Sequence, residues 1–370
     1  MPSARNGQPL LVRNQTVDFS YWPVAKTTRR YGLQTRVFTT DPWAVMAEGL
    51  AEMRPKSSRE AALAFNAQAE DFYEASQSSK LPYAKPLLLY YSFMNLVKAL
   101  LLMDGKVTPS YRPRHGMSEN ANLRQVEGAR ITVYPSSKTS RQIFADFYTL
   151  MTGSGLAKKK SLRLGYLLPQ ILFGHRLWCT AARQDERFVT VQRFEFMNDP
   201  NGRELWLRFF VRRGELARVD TTQHDFVRMA GLAGSWHLVH VDQSEDLCIE
   251  QKTPEPYTHR PSDVLLEVTN KLRQNLWSSV LLHPPYRKYY LYLAPPGERG
   301  AVLPQLLSMF VVMFFLGSIT RYRPHHFERL LDSHYGAHLL GALNEIPAQF
   351  IYLLASEMLK REVTKASIAS

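Results

Sequence analysis

The chain has 370 residues, 45% of them hydrophobic, which suits one large or two ordinary domains with a buried core and excludes a disordered protein. Lysine and arginine together number 46 against 33 aspartates and glutamates, so the formal net charge is +13. A charge of that sign favours an anionic partner, such as nucleic acid, an acidic protein or an anionic membrane surface.

An aromatic and basic segment precedes the first predicted helix. It has the composition of a single-strand binder, because bases stack on aromatic rings while arginines hold phosphates. The alternative is an extended arm whose rings fill surface pockets of the domain. No apolar signal sequence stands at the N-terminus, so we expect a cytoplasmic protein. The segment contains Tyr21, Trp22, Lys26, Arg29, Arg30 and Arg36.

Three helices are predicted next. Asp41 and Pro42 supply the N-cap and first turn of a short helix, and the capping box that begins at Ser57 opens a second helix to Ser78. The third, over residues 83–103, is apolar apart from one stripe. Asn95 and Lys98 lie on that stripe and are candidate binding residues, because a charge on a mostly buried helix needs a cleft or must snorkel to the surface.

Two basic segments follow between residues 106 and 163. The first is a predicted loop in a Pro and Gly setting, and loops held by a rigid scaffold often carry sites. The second, residues 158–163, is predicted as a solvated loop that can also grip phosphate without reading sequence. A short strand at 129–134 and a helix at 141–151 separate them. The candidate binding residues here are Arg112, Arg114, His115, Lys158, Lys159 and Lys160.

Residues 187–293 change to the period-two pattern of strands. Single strands are predicted over 187–197 and 203–213, with a hairpin turn between Asn198 and Gly202. Further strands are expected near 236–241, 246–251 and 288–294, and a helix over 263–282. Arginines at five positions between 203 and 218 give one ribbon a positive charge, which most simply indicates a solvated face.

The C-terminal part begins with an apolar run of about 14 residues after Pro304 and Gln305, shorter than the roughly 18 to 20 that span a bilayer. We therefore predict a core helix and no integral membrane association. A closing amphipathic helix is predicted over 345–363. Between them lies the densest basic cluster of the chain, formed by Arg321, Arg323, His325, His326 and Arg329.

Several kinds of chemistry have no motif in this sequence. It contains no glycine-rich phosphate loop, no HExxH and no GxSxG. The only cysteines are Cys179 and Cys248, which cannot form a cysteine-rich zinc site, and no carboxylate cluster indicates a metal-dependent nuclease. We therefore predict no metal and no cofactor.

Three segments resemble the YaaC-like proteins, a bacterial family without an established activity. They are PLLLYYSFMNLVKALLL, RHGM, and SMFVVMFFLGSITRYRPHHFERLL with its RY-x-P signature. After RY-x-P the family tends towards tryptophan, where this chain has Phe327 preceded by His326.

Arg321 and His326 also have the R-x4-H spacing of HEPN ribonucleases. The resemblance implies a metal-independent enzyme in which histidine moves a proton and arginine steadies the phosphate. Pro324 lies inside the motif and breaks the helix that usually presents the pair. The alternative is a structural turn in which these side chains cap or pack against helix ends.

Together these patterns predict a mainly α-helical α+β protein. Its helical core comes from the N- and C-terminal segments, around an inserted antiparallel β region. The predicted divisions are 1–56, an arm and short helix; 57–183, helices with basic loops; 184–295, the β region; and 296–370, the completing helices. We expect a non-enzymatic binding component that contacts RNA, DNA, a protein partner or a second copy, in a genome-maintenance or phage-defence assembly. The ribonuclease is the alternative.

Overall fold

The computed structural model describes residues 1–12, 14–22, 36–78, 82–120, 126–241, 244–275, 279–282 and 287–365. The α-helices of these residues are α1 Pro42–Ala51, α2 Lys56–Ser78, α3 Lys85–Met103, α4 Ile143–Thr152, α5 Leu164–Leu167, α6 His175–Ala182, α7 Arg213–Arg218, α8 Gln223–Met229, α9 Leu265–Asn275, α10 Gln305–Tyr322, α11 Pro324–Leu331 and α12 Gly336–Leu359. The strands are β1 Gln8–Pro9, β2 Leu11–Val12, β3 Gln15–Thr16, β4 Arg36–Thr39, β5 Met117–Asn120, β6 Arg130–Val133, β7 Lys160–Arg163, β8 Phe188–Val191, β9 Arg193–Asp199, β10 Glu204–Val211, β11 Trp236–Val239, β12 Leu247–Gln251, β13 Glu255–Pro256, β14 Ser279–Leu282, β15 Arg287–Tyr292 and β16 Glu362–Lys365.

The chain forms two compact units. The β unit contains Met1–Phe38 and Asp185–Gly300, and the helical unit contains Thr39–Gln184 and Ala301–Ala366. The helical unit is therefore built from segments on both sides of an antiparallel β region. This confirms the predicted mainly helical α+β fold with its inserted β region.

The β unit is organised around an antiparallel sheet of order β1-β9-β10-β12-β11, with β13 paired to β10. The predicted hairpin is present, since Asp199 pairs with Glu204 across its turn. A second sheet has the order β14-β15-β8. Large aromatic side chains fill the core, among them Trp206, Phe209 and Trp236, each at most 1% exposed.

The helical unit is centred on α3, α10 and α12, whose apolar side chains are buried almost all round. The rings of Phe93 on α3 and Phe350 on α12 stack with centroids 3.8 Å apart. Helices α3 and α10 approach closely at Gly317, where a Cβ atom would lie 3.1 Å from both the carbonyl oxygen of Pro86 and the Cβ of Tyr90. The glycine therefore brings the C-terminal end of α10 next to α3.

Each of these three helices is long and apolar enough to cross a membrane, judged by length and composition alone. Helix α10 has 18 residues and is longer than the apolar run of about 14 residues, because the helix begins at Gln305 and continues past that run to Tyr322. Within this unit, 72% to 83% of the most apolar window of each helix is buried. Internal packing thus accounts for their composition, and the expected absence of integral membrane association stays a prediction.

One strand prediction was wrong in its boundaries. The segment predicted as one strand over 187–197 is two, because β8 pairs with β15 while β9 pairs with β10. The residue between them, Gln192, donates its backbone N–H to the carbonyl of Phe210 at 2.8 Å. The period-two pattern continues through that residue, so a change of partner strand leaves no mark in the sequence.

Two further segments were assigned the wrong structure. Residues 160–163, predicted as a loop, form β7, in which Leu162 pairs with Ile131 of β6 and is fully buried. The helix predicted over 263–282 ends at Asn275, and Ser279–Leu282 form strand β14 against β15. In both cases pairing with a distant strand outweighed local preference.

Candidate functional site

Two residues of the polar stripe predicted on α3, Asn95 and Lys98, share one helix face with Tyr91, because the three are spaced four and three residues apart. The buried amide of Asn95 donates to Gln68 Oε1 at 2.7 Å, and its Oδ1 lies 3.5 Å from Lys98 Nζ. The lysine head also lies 4.9 Å from the ring centroid of Phe65. Lys98 is therefore held on this face, and desolvation lowers its pKa.

The loop before β5 presents His115 towards α3. Its backbone is fixed to the start of α4, because Arg114 N–H donates to the carbonyl of Arg141 at 3.0 Å and Ile143 N–H donates to that of Arg114 at 2.9 Å. Gly116 follows with φ +79°, and a Cβ there would lie 2.9 Å from the Cβ of Gln142. Only glycine suits that position, so the chain turns sharply after His115.

His115 meets α3 at Tyr90. The tyrosine hydroxyl lies 2.7 Å from His115 Nδ1. The Tyr90 side chain is buried between α3 and α10, with its ring 5.8 Å from that of Phe310 and 5.4 Å from that of Phe314. The imidazole is thereby anchored on the helical core, while its remaining surface is exposed to solvent.

Arg321 extends from the last turn of α10 to the same face of α3. Its Nη1 donates to the hydroxyl of Tyr91 at 2.9 Å. The guanidinium also lies 5.0 Å from the ring centroid of Tyr322, whose side chain is 65% exposed. The close approach of the two helices at Gly317, one turn earlier, makes this contact possible.

These three groups form what we call the cationic cleft: Lys98, His115 and Arg321. The pKa of His115 is lowered first by desolvation and then by the charges of Lys98 and Arg321, so both cations act on the imidazole. Among the described residues no carboxylate forms an ion pair with Lys98 or Arg321. The acidic group on β5, Glu119, instead accepts a hydrogen bond from Ser318 at 2.8 Å.

The other predicted basic residues lie on the loop that presents His115 and in the segment that leads into β7. Arg112 and Arg114 are exposed on the loop that presents His115. Lys158 and Lys159 are exposed just before β7, and Lys160 is half-buried within it, where desolvation lowers its pKa. Lys160 pairs with Val133, which in turn pairs with Met117, two residues after His115. Two strand spacings, about 10 Å, therefore separate the lysine run from the His115 loop.

The predicted Arg321 and His326 pair spans a helix break. Helix α10 ends at Tyr322, and α11 begins at Pro324, so the two residues lie on different helices. The rings of His325 and His326 have centroids 4.0 Å apart. The pKa of His326 is lowered by desolvation and then by the charges of His325, Arg329 and Arg323. The charge of Arg321 acts instead on His115, and the ribonuclease pairing stays a prediction.

The N-terminal aromatic residues are packed in the β unit. Tyr21 and Trp22 are 6% and 8% exposed, and the guanidinium of Arg273 lies 5.5 and 5.2 Å from their ring centroids. The two rings therefore fill an intramolecular pocket, as in the alternative interpretation of this segment. The basic residues Lys26, Arg29 and Arg30 lie outside the described residues.

A family model described as YaaC-like protein matches residues 20–358. The chain belongs to the YaaC-like family. The matched region contains all three residues of the cationic cleft as well as the RY-x-P segment. Neither a curated protein nor a solved structure matches this YaaC-like chain.

Sequence reasoning found the three residues of the cleft but missed the residues that position them. Tyr90 and Tyr91 form an aromatic doublet inside an apolar helix, which is typical of core packing. The spacing of Tyr91 from Asn95 and Lys98 was the available signal, because all three share one helical face. No sequence pattern indicates the role of Gln68, since it depends on the packing of α2 against α3.

No group of three His, Cys, Asp or Glu in the described part of the chain could hold a metal ion.

Proposed function

We propose that this YaaC-like protein is a cytoplasmic, non-enzymatic component that binds single-stranded nucleic acid through the cationic cleft. The observation that carries the proposal is the clustering of Lys98, His115 and Arg321 without an ion-pairing carboxylate among the described residues. Like charges brought together repel, and partial burial adds a desolvation cost. An anionic ligand relieves both.

Aromatic rings beside these cations favour nucleic acid over a simple anion. Tyr322 is largely exposed, with the Arg321 guanidinium 5.0 Å from its ring centroid. Tyr91, which accepts the hydrogen bond from Arg321, also stacks on Phe72 with ring centroids 5.5 Å apart. Single-strand binding proteins combine such rings, on which bases stack, with a basic groove that follows the phosphates.

The basic segments near the cleft extend the proposed interface. Arg112 and Arg114 lie on the His115 loop, and the run from Lys158 to Lys160 stands about 10 Å across the β5–β6–β7 sheet. Contacts of this kind bind the phosphate backbone without reading base sequence. We therefore expect binding that depends strongly on salt and weakly on sequence.

The proposal is tested by fluorescence anisotropy with labelled 20-nucleotide RNA and DNA strands over a series of salt concentrations. Lys98→Met and Arg321→Gln should each weaken binding about tenfold, as expected for the loss of a charge-assisted hydrogen bond. For each phosphate that a variant no longer neutralises, the slope of log K against log salt should fall by about 0.7. Lys56→Gln is the matched control, because it removes one positive charge from an exposed residue paired with Glu60.

Two outcomes would overturn this function. If neither RNA nor DNA binds at low salt while a protein partner does, the basic surface serves protein recognition. If labelled RNA is cleaved in EDTA and His326→Ala abolishes that cleavage, the ribonuclease alternative is correct.

A further inference from the structure

The hydrogen bond between Tyr90 and His115 determines which nitrogen of the imidazole carries the proton. The Tyr90 side chain is 4% exposed, and burial raises the pKa of its hydroxyl, which is therefore neutral. A buried hydroxyl needs an acceptor for its proton, and His115 Nδ1 lies 2.7 Å away. Burial and the neighbouring cations keep the imidazole neutral by lowering its pKa. The proton of neutral His115 is consequently on Nε2, which can donate to a ligand.

The three side chains of the cleft, Lys98, His115 and Arg321, are then all donors. The acceptor of Asn95 already receives the Lys98 ammonium, and the hydroxyl oxygen of Tyr91 receives Arg321 Nη1, which leaves the Tyr91 proton free to donate. The carboxylate on the adjoining strand, Glu119, is held by Ser318. A site built from donors on α3, α10 and a fixed loop suits a compact oxyanion with several acceptor oxygens.

We propose that the cationic cleft binds the terminal phosphate monoester of a nucleic-acid strand. The inference rests on the nucleic-acid binding proposed above and specifies which part of the strand enters the cleft. A phosphate monoester carries a charge of about −1.5 to −2 at neutral pH and has three strong acceptor oxygens. Lys98, His115 and Arg321 supply donors from three different structural elements.

An internal phosphodiester fits this arrangement less well. It carries one negative charge and two non-bridging oxygens, so it would leave part of the donor set unused. Its chain must also leave the phosphate in two directions, whereas a terminal phosphate is joined to its strand on one side only. Lys98 and the Tyr91 contact of Arg321 lie about 10 Å apart along the α3 axis, a separation that two long side chains can span.

The test compares one 20-nucleotide sequence with a 5′-phosphate, a 3′-phosphate or hydroxyls at both ends. We expect one phosphorylated form to bind at least tenfold more tightly than the hydroxyl form. A nucleoside monophosphate and inorganic phosphate serve as competitors, and they should displace the phosphorylated strand selectively. His115→Phe should remove this preference, while Lys56→Gln should retain it.

A second measurement requires no variant in the cleft. The His115 imidazole, followed by NMR, should show a higher pKa when the preferred nucleoside monophosphate is added, because the bound dianion favours the charged ring. For the His115→Phe variant of the first test, circular dichroism checks that a lost preference does not come from unfolding.

The two proposals fail in distinguishable ways. Equal affinity for phosphorylated and hydroxyl strands, with an unchanged His115 pKa, would overturn the terminal-phosphate inference and leave nucleic-acid binding intact. Absence of salt-sensitive binding to any strand would overturn both. Tight binding of inorganic phosphate without any strand binding would assign the cleft to a small anion and would also overturn the strand-end inference.

Discussion

The ion-paired arginines of the β unit differ from the two cations of the cleft. In the β unit, Arg208 Nε lies 2.6 Å from Glu195 Oε2, and Arg193 lies 3.1 Å from Glu195 and 3.2 Å from Asp246. Arg218 is paired with Glu186 and Glu215. In the helical unit, Arg321 is bonded to a neutral tyrosine, and Lys98 to a neutral amide.

This difference separates cations that stabilise the fold from cations available to a ligand. A guanidinium already paired with carboxylates gains little from a phosphate, because binding would first have to break its ion pairs. A cation held by a neutral group keeps its full charge for an incoming anion. Of the five arginines between residues 203 and 218, Arg208 and Arg218 are ion-paired in this way, so the less conspicuous Lys98 and Arg321 are stronger binding candidates than these two.

The largest expected effect tests whether the cleft depends on the helical core. Phe310 is fully buried on α10, and its ring packs against those of Tyr90 and Phe147. Phe310→Ala should lower the free energy of unfolding by about 3–5 kcal/mol, because it removes buried area and leaves a cavity. Urea denaturation measures this change. A decrease of less than about 1 kcal/mol would show that α10 is not part of a tightly packed core.

An intermediate effect distinguishes the two kinds of cation directly. Arg208→Gln leaves Glu195 without its closest partner and should lower the free energy of unfolding by about 1–3 kcal/mol, with nucleic-acid binding unchanged. Lys98→Met removes a desolvated charge and should keep or slightly raise stability while it weakens binding. Thermal denaturation and anisotropy on the same preparations measure both. If Arg208→Gln abolished binding without lowering stability, the comparison between the units would be wrong.

The smallest effect concerns acid sensitivity of the helical unit. His338 is 1% exposed, and desolvation lowers its pKa although its Nδ1 is hydrogen-bonded to the Gly174 carbonyl at 2.9 Å. The unfolded chain therefore binds this proton more tightly than the native chain. The contribution of neutral His338 to stability is therefore fully present above the unfolded-state pKa of about 6.5. It is lost as the pH falls below that value towards the lower native pKa.

The His338→Leu variant isolates this contribution. Between pH 7.5 and pH 5.5 the wild-type Tm should fall by about 2–4 °C more than that of the variant, which corresponds to about 1 kcal/mol in a domain of this size. The same pH series with His259→Leu, which replaces an exposed histidine of the β unit, is the control. An equal fall in wild type and His338→Leu would contradict the assignment.

Local sequence patterns were enough to predict the fold class, the apolar helices and the candidate cations. Local signals sufficed there: Asp41 accepts hydrogen bonds from the backbone N–H groups of Trp43 and Ala44 as an N-cap should, and the polar stripe of α3 follows helical spacing. Local signals failed at Gln192 and at Ser279–Leu282, where the choice of partner strand decides the structure.

Which basic residues come together depends on tertiary packing. Arg321 is far from Lys98 and His115 in the chain, and their convergence depends on the close approach of α3 and α10 at Gly317 and on the turn at Gly116. The break before Pro324 places His326 on a different helix from Arg321. Each residue type has its own charge. The electrostatic field in the cleft, however, depends on which residues the tertiary packing brings together, and no local sequence pattern shows this.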